Sequence, residues 1–448
     1  MITQRLNKVY FLGIGGIGMS SLARYLNTAG IEVSGYDKTQ TVLTKTLVDE
    51  GIAIHYQDSP ENIPTDADLV VYTPAIPSDL KEYIRIKELG LPLLKRSELL
   101  EIISSDHRTL AVAGTHGKTT VSTMLAHIMY QSKAGCTAFL GGISKNYNSN
   151  LLLNNKSEFM VTEADEFDRS FLKLHPTLAI ITSADADHLD IYGSHKELLD
   201  SFAQFASKVK EDGILLIKSG LKLKLPERRT YYYSITGNAD FSIKDLKLVD
   251  GFYNFTIQTP QEEIRGLKPE LPGLFNVENA LAAASAAWLS GVSTEEIVQS
   301  VNNFKGVRRR FDRIINRPDF LYIDDYAHHP EELRACLTAV RKLYPLKKIT
   351  GIFQPHLYTR TRDFATEFAE SLSMLDTLIL LDIYPARELP IEGVSSKMLL
   401  DITPLNNKLL LSKKEVLEYL HNNKPEILLT LGAGDIDQLV PEIEKIFT

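Results

Sequence analysis

The residue types best suited to chemistry sit together in one run, Gly114-Thr115-His116-Gly117-Lys118-Thr119-Thr120. A polyphosphate needs this combination: loop N–H groups cradle the anion, a lysine reaches the outer phosphates, and the next hydroxyl is offered to Mg²⁺. The common pattern, G-x-x-x-x-G-K-[ST], would place a glycine at position 112; here that residue is Val112, and the first glycine comes at Gly114. The loop is therefore a shortened phosphate loop. All seven residues are candidate ATP contacts, with Lys118 as the group that acts on the reacting phosphate.

Carboxylates recur where apolar runs end. Val161–Phe171 reads VTEADEFDRSF and Ile180–Gly193 reads IITSADADHLDIYG. Mg²⁺ prefers oxygen ligands and keeps several waters, so such strand ends beside a phosphate loop suit it. Glu163 is the first candidate ligand; Asp165 and Asp168 read as supporting or structural, and His188, taken alone, as an ordinary structural histidine. A second glycine cluster lies near the start, GIGGIG, with Gly13, Gly15, Gly16 and Gly18, and Asp37 follows. This is a G-x-G-x-x-G fingerprint with an acidic residue about 20 positions on. It predicts a diphosphate at a helix N-terminus without specifying a nicotinamide. Asp37 reads equally well as a ligand contact or a solvated turn residue.

Four more polar clusters follow apolar runs in the last third: DDYAHHP (Asp324–Pro330), QPHLYTRTR (Gln354–Arg362), PARE (Pro385–Glu388) and GAGD (Gly432–Asp435). In open parallel sheets ligands bind outside the carboxyl ends of the strands. The recurrence predicts another binding surface there.

These groups need elements to hold them. Arg108–Ala113 predicts a buried strand. Val121, Leu125, Ile128 and Met129, with Met124 beside them, predict one apolar helix face after Lys118, ending at Gly135. The first block predicts strands at Val9–Leu12, Glu32–Gly35 and Asp68–Tyr72, with a helix at Met19–Thr28; the alternation continues to LKRSELL near Arg96. LPGLFNVENALAAASAAWL predicts a turn and an Ala-rich helix. Arg308, Arg309 and Arg310 read most simply as a solvated basic face. The third block predicts four strands from about Ile314. The whole predicts an α/β protein of three domains: a Rossmann-like N-terminal domain (1–106), a P-loop ATPase-like central domain (107–313) and a Rossmann-like C-terminal domain (314–448).

Composition agrees with this class. The 448 residues are 44% hydrophobic and 24% charged, with a net charge of −8. That balance fits a globular protein and disfavours a general nucleic-acid surface. Two distant cysteines, Cys136 and Cys336, fit a reducing compartment better than a disulfide framework or a zinc site. The polar start and the short, glycine-broken apolar run after it predict no signal peptide, and no run is long enough to span a bilayer. A cytoplasmic protein is the expectation.

With these motifs in order, the chain resembles the Mur ligases of peptidoglycan synthesis over nearly its whole length. FLGIGGIGMSSLA, GTHGKTT, EADE, DHLD, LPG with a following Asn, GVRRRFD, DDYAHHP, FQPHLYTRT, DIYPARE and LTLGAGDI carry the resemblance. Val112 is normal for this group. The chain departs from the family pattern at Ser183-Ala184-Asp185, where Asn-Ile-Glu is common, and at Phe167, Phe275 and Leu357, where Ser, His and Arg are common.

The resemblance implies an ATP-dependent amide ligase. ATP phosphorylates the carboxylate of UDP-N-acetylmuramate, the amine of L-alanine attacks the acyl phosphate, and phosphate leaves. It further implies Thr119 and Glu163 on one Mg²⁺ and His188 on a second. Asn276 and Asn279 face adenine, Asp324 faces its ribose, and Arg310 contacts phosphate. Tyr326, His328, His356 and Arg360 serve the acceptor amino acid, and the first glycine loop with Asp37 serves the UDP substrate. Two rivals remain: a recycling ligase of the same fold that attaches a tripeptide, and a nicotinamide-dependent oxidoreductase built on the Gly13–Gly18 loop. The second leaves GTHGKTT unexplained.

Overall fold

The computed structural model describes residues 6–185, 189–386 and 388–448. It forms two compact units. One runs to Lys247 and includes Asn254–Glu270 and Glu278–Lys305; the other is made of Leu248–Tyr253, Leu271–Val277 and Gly306–Thr448.

The first unit contains two sheets. The N-terminal one has strands β1 (Lys8–Leu12), β2 (Glu32–Tyr36), β3 (Ala53–His55), β4 (Leu69–Tyr72) and β5 (Leu93–Lys95). They lie in the order β3-β2-β1-β4-β5 and all pair in parallel. β1 is thus where the strand order reverses, the usual place for a ligand loop. The helix after the first glycine loop spans Ile17–Thr28, two residues earlier than predicted, and buries Met19, Leu22, Ala23 and Leu26. Strand β2 extends one residue further than predicted, to Tyr36.

The second sheet has ten strands: β6 (Arg108–Ala113), β7 (Thr137–Ser144), β8 (Ser149–Leu152), β9 (Phe159–Glu163), β10 (Leu178–Ile181), β11 (Ile214–Lys218), β12 (Arg229–Ser234), β13 (Phe241–Val249), β14 (Phe252–Gln258) and β15 (Glu263–Leu267). The order is β15-β14-β13-β12-β11-β10-β6-β9-β7-β8. β6 lies parallel between β10 and β9, again at a reversal of strand order. The β7–β8 and β14–β15 pairs are antiparallel, so the sheet is mixed.

The helix after β6 spans Lys118–Gln131 and ends at Ser132, not at Gly135, which lies beyond it with φ +61°. Every residue from Thr119 to Met129 is buried, so its apolar positions do not form a single stripe. The cause is position: β7 packs on one side and the helix Thr294–Asn303 on the other. Polar residues inside must then find partners. His127 does so with both ring nitrogens, Nδ1 2.8 Å from Tyr147 Oη and Nε2 2.5 Å from Asn303 Oδ1.

The second unit holds a six-stranded sheet of β16 (Asp312–Asn316), β17 (Leu321–Asp325), β18 (Ile349–Phe353), β19 (Thr377–Leu380), β20 (Lys408–Leu410) and β21 (Ile427–Leu431), in the order β16-β17-β21-β18-β19-β20. The four predicted strands are β17, β18, β19 and β21. Two edge strands, β16 and β20, add to them; β16 pairs antiparallel with β17. β17, β18 and β21 are buried at every position, as strands covered on both faces are. Each fully buried Leu or Ile there contributes roughly 1.5–3 kcal/mol.

Candidate active site

Strand β6 ends at Ala113 and the phosphate loop begins. Gly114 (φ +134°) needs its missing side chain, because a Cβ would lie 2.2 Å from Thr182 Oγ1. Gly117 (φ +82°) caps the helix in a left-handed conformation, and a Cβ there would meet Asn279 Oδ1 at 2.9 Å. The segment after β10 pins the loop. Ser183 Oγ accepts the His116 N–H at 2.7 Å and lies 3.0 Å from Thr115 Oγ1, while Thr182 Oγ1 donates to the His116 carbonyl at 2.5 Å. Ser183 departs from the family pattern, yet its hydroxyl helps fix the loop. The His116 ring stands 3.8 Å from Asp185.

Lys118 folds back over this loop. Its Nζ donates to the Gly114 carbonyl at 2.7 Å and to Glu166 Oε1 at 2.8 Å. Burial works against the ammonium, but Glu166, Asp165 and Glu163 outweigh it and hold the group charged above its ordinary range. Glu166 stands at about 7, pushed up by burial and drawn back by Lys118. At 2.8 Å the contact is a salt bridge whose lysine keeps its proton. Sequence reading missed Glu166; its only signal was the second glutamate of EADE.

Thr119 Oγ1 donates to Glu163 Oε2 at 2.9 Å. A hydroxyl and a carboxylate therefore converge at the head of the phosphate loop. This oxygen donor set fits Mg²⁺, with water and phosphate completing the shell. Among the described residues no group of three or more His, Cys, Asp or Glu side chains converges on a metal position. Asp165 has a structural task, its Oδ1 accepting the Phe167 N–H at 3.1 Å. The Asp168 side chain and His188 lie outside the described residues. Thr120 is buried in the first helical turn.

The first glycine loop is closed by Asp37. Its Oδ2 accepts the Gly15 N–H at 2.8 Å and its Oδ1 the Thr39 N–H at 3.0 Å. Asp37 is therefore built into the loop and is not a solvated turn residue. Gly13 (φ +82°) makes the turn off β1, with its N–H on the Tyr36 carbonyl at 2.8 Å. Gly15 is crowded, since a Cβ would lie 2.7 Å from Thr44 Cγ2 and 2.8 Å from Asp37 Oδ2, while at Gly18 a Cβ would meet the end of the Arg96 side chain, 2.9 Å from Nη1. Gly16 caps the Ile17–Thr28 helix. Arg96, unnoticed as a site residue in the sequence, thus lays a guanidinium along the N-terminus of that helix.

In the second unit the strand ends gather the remaining candidates. The His328 ring meets Tyr326 at 5.2 Å and His356 at 5.9 Å between ring centroids, both edge-on, and His356 stacks on Tyr384 at 5.7 Å. Arg360 Nη1 is 3.3 Å from His356 Nδ1, and Glu332 Oε2 is 3.1 Å from His328 Nδ1. Tyr326, His328, His356 and Arg360 therefore form one cluster, joined by Glu332 and Tyr384. Leu357, inside it, holds φ +71°, an uncommon state for a branched residue and one that gathers at functional sites.

The Arg308–Arg310 run is not a uniformly solvated face. Arg309 Nη2 donates to the Gly432 carbonyl at 2.6 Å and its Nε stands 3.4 Å from Asp324 Oδ2. Arg309 and Arg310 both lie over the Tyr326 ring, at 5.0 and 4.8 Å. Only Arg308 is exposed. Asp324, also held by Thr430 Oγ1 at 2.7 Å, is pushed up to about 6 by burial against the pull of Arg309. Its neighbour Asp325 is pushed up to about 7 by burial against Arg310 and two backbone N–H groups, Phe311 at 2.7 Å and Ala327 at 2.8 Å. Asn276 Nδ2 donates to the Pro272 carbonyl at 2.7 Å. Phe275 packs at 6.2 Å from Phe311.

Fold and site together define a phosphate-loop enzyme built on three α/β sheets. The Mur ligase family, catalytic domain, matches residues 8–108; the Mur ligase middle domain matches 112–287; the Mur ligase, glutamate ligase domain, matches 309–434. The chain belongs to the Mur ligase family. It is 49% identical to the UDP-N-acetylmuramate--L-alanine ligase of Porphyromonas gingivalis strain W83, over 98% of this chain and 99% of the relative. It is 49% identical to the enzyme of that name from Flavobacterium psychrophilum, over 99% of each. Among solved structures it is similar to UDP-N-acetylmuramate-alanine ligase MurC of Thermotoga maritima, with TM-score 0.84 and 27% identity over 98% of this chain and 99% of that one. A murein peptide ligase from Psychrobacter arcticus shares the fold, with TM-score 0.76 and 21% identity over 98% of each chain. Among the described residues no helix is long and apolar enough to cross a membrane.

Proposed function

We propose that this protein ligates L-alanine to the carboxylate of UDP-N-acetylmuramate, with conversion of ATP to ADP and phosphate, in cytoplasmic peptidoglycan precursor synthesis. The observation that carries the reading is a phosphate loop whose Lys118 is charged and whose Thr119 and Glu163 already converge. Near-full-length identity to alanine ligases supports the acceptor. Residues 1–106 take the UDP substrate, 107–313 take ATP, and 314–448 take the amino acid.

A carboxylate is a poor electrophile, so the reaction starts by giving it a leaving group. A carboxylate oxygen of the muramoyl group attacks the γ-phosphorus, the bond to the bridging oxygen breaks, and ADP departs with that electron pair. The uncharged amine of L-alanine then attacks the acyl carbon, forming a tetrahedral intermediate. Collapse breaks the bond to the phosphate oxygen, expels phosphate, and the amine proton passes to solvent or a nearby base. Catalysis is positioning and charge neutralisation. Lys118 leaves Glu166 for the transferring phosphate and offsets its growing charge. Thr119 and Glu163 would hold Mg²⁺, which neutralises phosphate charge when bound; His188 is assigned to a second ion from the family resemblance. Residues Gly114 to Thr120 cradle the phosphates, chiefly through the N–H groups of the first helical turn, Lys118 to Thr120, since the His116 N–H is held by Ser183. Asn276, Asn279 and Asp324 serve the adenosine, and Arg310 a phosphate. The Gly13–Gly18 loop, closed by Asp37, holds the UDP diphosphate. Arg360, His356, His328 and Tyr326 hold the acceptor, with Arg360 pairing its carboxylate.

Phosphate release tests the reading. It should require ATP, UDP-N-acetylmuramate and L-alanine together, with the amide product seen by mass spectrometry. Release with ATP alone at the same rate, or with a tripeptide acceptor in preference to L-alanine, would overturn it.

A further inference from the structure

Asn150 occupies an unusual place among the polar residues of the first unit. It is fully buried in β8, yet both its amide hydrogens and its amide oxygen are hydrogen-bonded. Its Nδ2 donates to the Ile17 carbonyl at 2.7 Å and to Ser20 Oγ at 2.8 Å. Its Oδ1 accepts Arg24 Nη1 at 3.0 Å. Ile17, Ser20 and Arg24 all belong to the helix that begins at the first glycine loop. A buried amide with every group satisfied fixes two elements in one register, because any shift leaves a desolvated polar atom unpaired.

The other strand of the same hairpin touches the phosphate site. Gly141 lies in β7, and a Cβ there would stand 1.9 Å from Glu163 Oε2. The β7 backbone therefore runs directly against the carboxylate that accepts Thr119. Tyr25, on the glycine-loop helix, packs on Phe139 of β7 at 5.4 Å between ring centroids. One hairpin thus bears on the helix of the first glycine loop and on Glu163.

We propose that Asn150 is a positioning residue for ligation: by fixing the Ile17–Thr28 helix to the β7–β8 hairpin, it sets where the carboxylate of the UDP-bound substrate arrives relative to the phosphate held beside Lys118, Thr119 and Glu163. The proposal rests on the ligase reading above. Asn150 touches neither reactant. Its effect is on alignment, and small misalignments of reacting atoms cost up to about a hundredfold in rate.

The test uses the full-length protein with Asn150→Ala and, as a milder cut at the same contact, Ser20→Ala. Measured are kcat, the Kd of UDP-N-acetylmuramate and of ATP by calorimetry, and Tm. The expected result for Asn150→Ala is a ten- to hundredfold loss of kcat with each Kd within about threefold of wild type. Ser20→Ala, which removes one of the two donor contacts, should lose about two- to fivefold in kcat and keep both Kd values. Wild-type kcat in both variants overturns the proposal. So does a fall in kcat that only follows weakened substrate binding, since that is a structural effect. If Asn150→Ala does not fold, Ser20→Ala decides by the same criteria. A wild-type protein without ligase activity tells against the proposed function itself, a result distinct from active wild type with active variants.

Discussion

Lys118 Nζ lies 2.8 Å from Glu166 Oε1, and the Glu166 side chain is fully buried. The lysine proposed to meet phosphate is thus already paired with a carboxylate of its own fold. On the proposed reading, phosphate displaces Glu166 and trades one buried pairing for another, and Glu166 holds the ammonium in place before substrate arrives. Removal of the lysine tests this arrangement. Lys118→Ala should abolish ligation, with a loss of at least about 3 kcal/mol in transition-state stabilisation. Binding of UDP-N-acetylmuramate alone should stay near the wild-type level, because that loop belongs to a different sheet. Calorimetry of the variant with the UDP substrate, beside a phosphate-release assay, checks both halves.

Gly141→Ala should damage metal use more than folding. The new methyl would overlap Glu163 Oε2, so the carboxylate must turn away from Thr119. The Mg²⁺ concentration for half-maximal rate should rise at least about tenfold, while circular dichroism and Tm change little. An unchanged Mg²⁺ titration would separate Glu163 from the metal.

Arg96→Gln should raise KM for UDP-N-acetylmuramate and leave KM for ATP alone. The Arg96 guanidinium lies against Gly18 at the start of the glycine-loop helix, where a diphosphate would bind. A hydrogen bond to a charged group is worth about 1.5–3 kcal/mol, so KM should rise roughly 10- to 150-fold. Steady-state kinetics with each substrate varied in turn measures it.

Stability should fall with rising pH through the titration of Asp325. Its folded value is about 7 against an ordinary 3.8, so between these limits the folded chain holds a proton that the unfolded chain has lost. The stabilisation is complete below 3.8 and is lost as pH rises through about 7. The slope contributed is at most about 1.4 kcal/mol per pH unit. Denaturant unfolding from pH 4 to 8 should show this decline in the wild type and a flatter profile in Asp325→Asn.

L-Alanine should be the best acceptor, with glycine and L-serine slower. One methyl in a small pocket is worth about 1–3 kcal/mol, or roughly 10- to 200-fold in kcat/KM. A tripeptide should fail, because its chain would continue past the carboxylate site assigned to Arg360. Arg360→Ala should raise KM for L-alanine and leave KM for ATP unchanged. Comparison of kcat/KM across the four acceptors settles the order.

Much of this site was legible in the chain because its signals are local. A strand, a turn of glycines, Lys118, Thr119 and a helix are neighbours, and neighbour spacing is what periodicity and loop chemistry report. Strands β17, β18, β19 and β21 were legible for the same reason: each is a short apolar run followed at once by its polar cluster. The helix after Lys118 showed the limit. Its apolar residues suggested one buried face, but packing on two sides buries nearly every position. The same limit hid β16 and β20, edge strands too short and mixed to announce themselves.

The sequence by itself determined the family and its motif order: a phosphate-loop motif, a second glycine loop at a helix N-terminus, and acids and bases at strand ends. Only the tertiary structure decided which side chains hold these groups in place. Glu166 meets Lys118 across 48 positions, Ser183 meets His116 across 67, and Asn150 meets Ile17 across 133. It also turned Asp37 inward to close its loop and seated Arg309 on Asp324. The physical reason is that loop and helix chemistry is fixed by torsions and spacing within a few residues. The partner of a buried charge or amide is fixed by desolvation, which acts only once the fold has removed water from around it.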